Sequence, residues 1–193
     1  MKLLKYVMTN DIGLAPNPFW NWCTLAVCTP NHMNAKLKKD DWIIGHSTKN
    51  TDNKLIYAMK VIERIGFNEY FYDKRFEKKK PKVGNYMHRV GDNIYYKNSN
   101  GKWEWIRYSL HSDKRKIDTD HPIVFISNYY YYFGSNADPN FPIIFPKLIK
   151  NEQGICYVRD HLEIIRFVEW LKGKYKLGRN NNIPRDVNNI PSC

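Results

Sequence analysis

The sequence predicts an α+β fold: a small mixed β-barrel with flanking helices and a C-terminal helix. Three observations lead there. Short apolar runs of strand length alternate with Gly-, Pro- and Asn-rich turns through the first two thirds of the chain. A single strongly periodic helical segment follows late. The 193 residues are 42% hydrophobic and 15% aromatic, enough to build one core and to exclude wholesale disorder.

Leu3 to Met8 is an apolar run broken by Asn10-Asp11-Ile12-Gly13, and reads as the first strand. Pro16 and Pro18 on either side of Asn17 forbid a regular helix or central strand there. Thr24 to Cys28 suits a buried strand or a helical turn, ended by Pro30. Trp42 to Gly45 is a strand. Leu55 to Ile62 is too uniformly apolar for an edge and is expected at the centre of a sheet, with Thr48 to Asn53 as a hairpin tip. Phe67, Tyr70 and Phe71 share a helical face that Asn68 is placed to cap. Asn93 to Tyr96 and Trp103 to Tyr108 form a hairpin across Asn98-Ser99-Asn100-Gly101. Ile123 to Ser127 is a further strand, followed by the aromatic run Tyr129 to Phe133. From Asp160 to Tyr175, Leu162, Ile165, Val168 and Leu171 recur at helical spacing and Ile164, Phe167 and Tyr175 widen the face, with Asp160 and Glu163 as a capping pair. Gly178 to Cys193 is Asn- and Pro-rich and is expected to fray. The division expected is residues 1–150 as the main domain, with 151–193 a helix and tail packed on it.

A net charge of +12 points to a polyanionic partner, nucleic acid or nucleotide. No stretch approaches the roughly 20 apolar residues of a membrane span, and the N-terminus lacks a signal peptide's apolar region, so a cytoplasmic protein is expected. Cys23, Cys28, Cys156 and Cys193 lack metal-ligand spacing and read as buried, reduced thiols. There is no P-loop, dinucleotide fingerprint, zinc-protease helix, nucleophile elbow or deaminase zinc pair, and no cofactor or metal is called for.

Aromatic and basic residues are interleaved. Trp20, Trp22, Trp103, Trp105 and Tyr129 to Tyr132 suit base stacking as well as they suit a core. Arg75, Lys78, Lys79 and Lys80, within a run that extends to Lys82, suit phosphates as well as a solvated face. If the protein is an enzyme, Asp11 and His111 are the acid/base candidates and Cys23 a nucleophile candidate.

The ordered series Gly13-Leu14-Ala15-Pro16-Asn17-Pro18-Phe19, Cys23-Thr24-Leu25-Ala26, Cys28-Thr29-Pro30, Asp41-Trp42-Ile43-Ile44-Gly45, Ile56-Tyr57-Ala58-Met59, Asp73-Lys74-Arg75-Phe76 with Lys79-Lys80-Pro81, Gly91-Asp92-Asn93-Ile94-Tyr95, His111-Ser112 and Tyr132-Phe133-Gly134 resembles the second of the nucleotide modification associated domain families. The resemblance covers Leu3 to Lys147; Asp40-Asp41 departs from it where Gly-Asp is common. It implies a place in phage or bacterial systems that make or respond to modified bases. The order of elements is fainter in its similarity to EVE and related PUA-like domains. That similarity implies a base pocket of Asp11, Asn17, Trp20, Trp22, His46 and Ser47. Asp11 and Asn17 serve equally well as turn organisers. The leading expectation is recognition of a modified or flipped base in nucleic acid, with catalysis on that base, or a protein-interaction module, as alternatives.

Overall fold

The computed structural model describes residues 1–27, 35–111 and 113–189. Cys28, Thr29, Pro30, Ser112 and Cys193 lie outside them. The strands are β1 (Leu3–Met8), β2 (Cys23–Leu25), β3 (Trp42–Ser47), β4 (Leu55–Lys60), β5 (Glu63–Gly66), β6 (Tyr95–Lys97), β7 (Trp103–Trp105), β8 (Ile123–Ser127), β9 (Tyr130–Tyr132) and β10 (Ile155–Val158). The α-helices are α1 (Phe67–Tyr72), α2 (Tyr86–Arg89), α3 (Arg115–Asp118), α4 (Phe141–Ile144) and α5 (His161–Lys174).

A five-stranded sheet runs β10-β1-β3-β4-β9, a three-stranded sheet runs β2-β8-β5, and β6-β7 form a hairpin. Among the ladders between described strands, β1–β3 alone is parallel and the others are antiparallel. β4 and β5 are successive halves of one long bent strand, and β8 and β9 of another. Backbone bonds from Lys60 N to Tyr129 O (3.0 Å) and Ile62 N to Ile126 O (2.9 Å) carry the pairing through the bend. The two larger sheets thus share this bent pair. The result is a mixed α+β fold with several sheets; among the described residues no ladder closes them into a barrel.

Alternation along the strands sorts the core into layers. Leu4, Tyr6, Met8, Ile43, Ile56, Tyr57 and Met59 pack between the two sheets with Leu25 and Phe125. Leu3, Trp42, Ile44, Leu55 and Ala58 face the other way, onto Phe141, Phe145 and α5. A third cluster, with Phe19, Phe67, Tyr70, Phe76 and Tyr95, lies over the smaller sheet. β4 is fully enclosed between β3 and β9, as the apolar run predicts.

Several local expectations are corrected. Gly66, not Asn68, caps α1; Asn68 Oδ1 instead accepts from Lys97 N, tying α1 to β6. Asp160 does cap α5, accepting from Glu163 N at 3.1 Å. The buried face of α5 is Ile164, Phe167, Val168 and Leu171, whereas Leu162 is 77% exposed. Two apolar stripes overlap on this helix, and the aromatic ring of Phe167 decides which one meets Phe141 and Phe145. Cys23 is buried but Cys156 is exposed. Asp40 adopts φ 71°, the left-handed conformation that favours glycine, at the position where the sequence departs from the family pattern.

The tail up to Asn189 does not fray. Gly178 N donates to Tyr130 O and Tyr132 N to Gly178 O, so this residue extends the five-stranded sheet past β9. Ser135 N donates to Ile183 O and Asp186 N to Asp11 O. The docking depends on Gly134 (φ 54°), where a Cβ would stand 2.0 Å from Ile183 O. Polar composition suggested fraying, but in this tail the backbone itself supplies the contacts.

Candidate functional site: a cleft beside Trp20

The residues proposed from sequence fall into three groups. The first is internal bracing. Asn17 is buried, and its backbone pairs with Thr24 in both directions (2.8 and 3.0 Å). Its Nδ2 donates to Val90 O, and its Oδ1 accepts from Lys79 Nζ at 2.6 Å. Both ends of the amide are therefore spent within the protein. Lys79, 1% exposed, also donates to Asn17 O and Trp22 O. This removes it from the expected phosphate-binding run: in the 3-10 segment Lys74–Lys79, Phe76 and Lys79 share the buried face. Nearby, Thr24 Oγ1 and Tyr70 OH both donate to Asp92, at 2.6 and 2.8 Å. Burial lowers the Lys79 pKa to about 8 and raises that of Asp92, each opposed by the other's charge.

The unfolded chain holds the Lys79 proton up to its ordinary value of 10.5, while the folded chain releases it near 8. Between those values the unfolded state binds more protons, so this group makes stability rise with pH. Cys23, whose pKa burial raises, acts in the opposite sense above its ordinary value of 9.0. The stability difference between wild type and Lys79→Met, followed by urea unfolding, is therefore expected to shift in favour of wild type as pH rises above about 8. A pH-independent difference would show that Lys79 does not titrate in this range.

Asp11 is a brace of the same kind. Its carboxylate accepts twice from Tyr132 OH (2.9 and 2.8 Å), from Gly13 N and from Arg185 N. Its own N–H donates to Asp186 Oδ2 at 2.7 Å. Burial raises its pKa against these bonds. Asp11→Ala should cost about 1–3 kcal/mol by orphaning these donors. It should also loosen the tail, read as faster hydrogen exchange at the Arg185 amide, which donates to the Asp11 carboxylate; unchanged exchange would contradict the bracing role.

His46 Nε2 accepts from Lys150 N, and its Nδ1 lies 2.8 Å from Ser47 O. Ser47 Oγ accepts from Lys54 N and donates to Thr51 O, closing the β3–β4 hairpin. Cys23 is fully buried, and desolvation raises its thiol pKa, the opposite of what a thiolate nucleophile needs.

The second group lies apart. His111 Nε2 sits 2.7 Å from Asp118 Oδ2, which also accepts from Tyr95 OH at 2.7 Å. This cluster joins α3 to β6. Arg75 is held by Glu63 and Asp73 and lies against Trp22 and Phe76. Lys80 pairs with Glu77 and sits over Phe71.

The third group comes together at a cavity of about 430 Å³. Trp20, Asn21, Asn128, Tyr130 and Arg179 line it, along with Pro18 and residues of the tail. Lys78 Nζ stands 5.6 Å from the Trp20 ring, and the His88 ring lies 4.9 Å from it. Arg179 sits over Phe19 and donates to Asn182 O. Trp20 is held at φ 61°, a conformation that is costly for a bulky residue, and Asn21 at φ 65°. The opposite wall is also left-handed, at Gly178, Asn180 and Asn181. The indole Nε1 of Trp20 is buried without a hydrogen-bond partner. Of the residues singled out from sequence, Trp20 and Tyr130 line the cavity; Lys78 approaches the Trp20 ring without lining it. Asn21, Asn128 and Arg179 were missed. The run Gly178-Arg179-Asn180-Asn181-Asn182 carried the signal, because Gly and Asn are the residues that accept left-handed backbone.

These features describe a mixed α+β protein with an aromatic and basic cleft of nucleotide size. The chain belongs to the nucleotide modification associated domain 2 family, whose model matches residues 1–189 and so includes α5 and the tail. No curated protein and no solved structure matches it. Family membership links the protein to nucleotide modification, and among the described residues no helix is long and apolar enough to cross a membrane.

Proposed function

We propose that the protein recognises a base of nucleic acid, modified or flipped out of its stack, in the cleft beside Trp20. The observation that carries this reading is Trp20 itself. One residue combines a left-handed backbone, a buried indole N–H without a partner, and the wall of a nucleotide-sized cavity. Costs of that kind persist where a site is being held ready. Tyr130 and Trp20 supply apolar walls, Asn21 and Asn128 supply donors and acceptors for a base edge, and Arg179 on the wall supplies positive charge for phosphate, with Lys78 Nζ outside the wall, 5.6 Å from the Trp20 ring. The position, on the loop after β1, is where a PUA-like domain would hold its base, and the family connection supports a role with modified bases in phage modification or antiphage defence. Recognition is favoured over catalysis because Asp11 and Cys23 are enclosed, and Asp11's carboxylate is already hydrogen-bonded.

Titration of mixed-sequence single-stranded DNA into wild type and a Lys78→Ala/Arg179→Ala variant tests the charge assignment. Each cation removed from a phosphate should flatten the slope of log K against log salt by about 0.7, so the double variant should lose about 1.4. An unchanged slope would remove these cations from the interface.

A further inference from the structure

We propose that the cleft is one of two consecutive subsites, so that the protein's ligand is a strand of at least two nucleotides rather than a free nucleotide. This rests on the base-recognition reading above. A second cavity, of about 440 Å³, lies on the other side of the same tail segment. Gly178, Asn180 and Asn181 line both cavities, so the two are separated by a wall only one chain thick. The wall is fixed in place: Gly178 is paired to Tyr130 and Tyr132, and Asn182 Nδ2 donates to Tyr132 O at 2.8 Å.

The second cavity has the same mixture of ring and cation as the first. Tyr175 and Phe133 meet edge to face, with ring centroids 4.8 Å apart, and Lys174 and Lys176 stand at its rim. Lys174 is balanced by Asp138, which also accepts from Tyr175 OH. Lys176 is exposed, and no carboxylate among the described residues pairs with it. With Arg179 on the first side and Lys176 on the second, net positive charge flanks the wall on both sides. A base in each cavity would leave the phosphate joining them over the wall, between those two cations. A mononucleotide engages one side only; a dinucleotide engages both, and the second contact is made at high effective concentration.

The test is the affinity of mixed-sequence deoxynucleotides of one, two and four residues, measured by calorimetry on wild type, Lys176→Glu and Trp20→Ala. Wild type is expected to bind the dinucleotide at least about tenfold more tightly than the mononucleotide, with a much smaller gain from two to four. Lys176→Glu should erase most of that gain while leaving mononucleotide affinity within about twofold, since Lys176 borders only the second cavity. Equal affinity for one and two nucleotides, with Trp20→Ala weakening both, would overturn the second subsite and leave the base cleft standing. Binding that ignores Trp20→Ala, or no binding at any length, would overturn both. Equal weakening of every length by Lys176→Glu would reduce the second cavity to a general charge effect and overturn the proposal.

Discussion

Lys79→Ala is expected to destabilise the protein by about 3–5 kcal/mol, whereas Lys78→Ala and Lys80→Ala should each change stability by less than about 0.5 kcal/mol. The three lysines are neighbours in sequence and differ only in where the chain directs them. Lys79 Nζ spends its three N–H donors on Asn17 O, Asn17 Oδ1 and Trp22 O. Truncation leaves those acceptors buried and unpaired, removes the nearest cation from buried Asp92, and opens a space the size of the lysine stem. Trp22 and Asn17 flank Trp20 in sequence, so the same substitution should also loosen the cleft. Lys79→Met restores the stem without the charge and should recover part of the loss. Urea unfolding of the variants reads the effect; a cost for Lys79→Ala no larger than for its neighbours would contradict the buried brace.

Trp20→Ala is expected to weaken nucleic-acid binding at least tenfold, in keeping with the roughly 1–3 kcal/mol of base–aromatic stacking, while leaving the fold intact. The residue is half-buried and strained, so its removal costs packing against His88 but relieves the left-handed backbone and the unpartnered indole. Little net loss of stability, or a small gain, should accompany the loss of binding. Trp22→Ala is the contrasting variant. Trp22 packs edge to face on Phe76 with Arg75 against it, at a distance from the cavity walls. It should destabilise the protein without a selective effect on affinity. Loss of binding in the Trp22 variant alone would move the site to the aromatic and basic face around Arg75.

The elements with a simple period were legible in the sequence. β1, β3, β4, β8 and α5 follow from apolar runs and helical spacing, because burial on one or two faces imposes those patterns directly. The bent pairing of β4–β5 with β8–β9 was not legible, since nothing in Val61-Ile62 distinguishes a strand that ends from one that changes sheets. Two prolines flank Asn17, but that does not say whether its amide faces a ligand or a lysine 62 residues away. Lys79 could not be told from Lys78 or Lys80 by charge, because its burial follows from the 3-10 segment that puts it on the same face as Phe76. The cleft was half legible: Trp20 and Tyr130 carry recognisable aromatic chemistry, while Arg179 reaches it only because the tail docks along β9. A segment rich in Asn and Pro has the composition of a loose end, and its backbone pairing with Tyr130 and Tyr132 leaves no trace in composition.

The most direct measurement is a crystal structure of the protein bound to a short single-stranded oligonucleotide. The account predicts a base seated in the cavity lined by Trp20, Asn128, Tyr130 and Arg179, with a phosphate within reach of Lys78 or Arg179. A base bound instead on the face formed by Arg75, Trp22 and the β6–β7 hairpin, with the cavity beside Trp20 left empty, would contradict it.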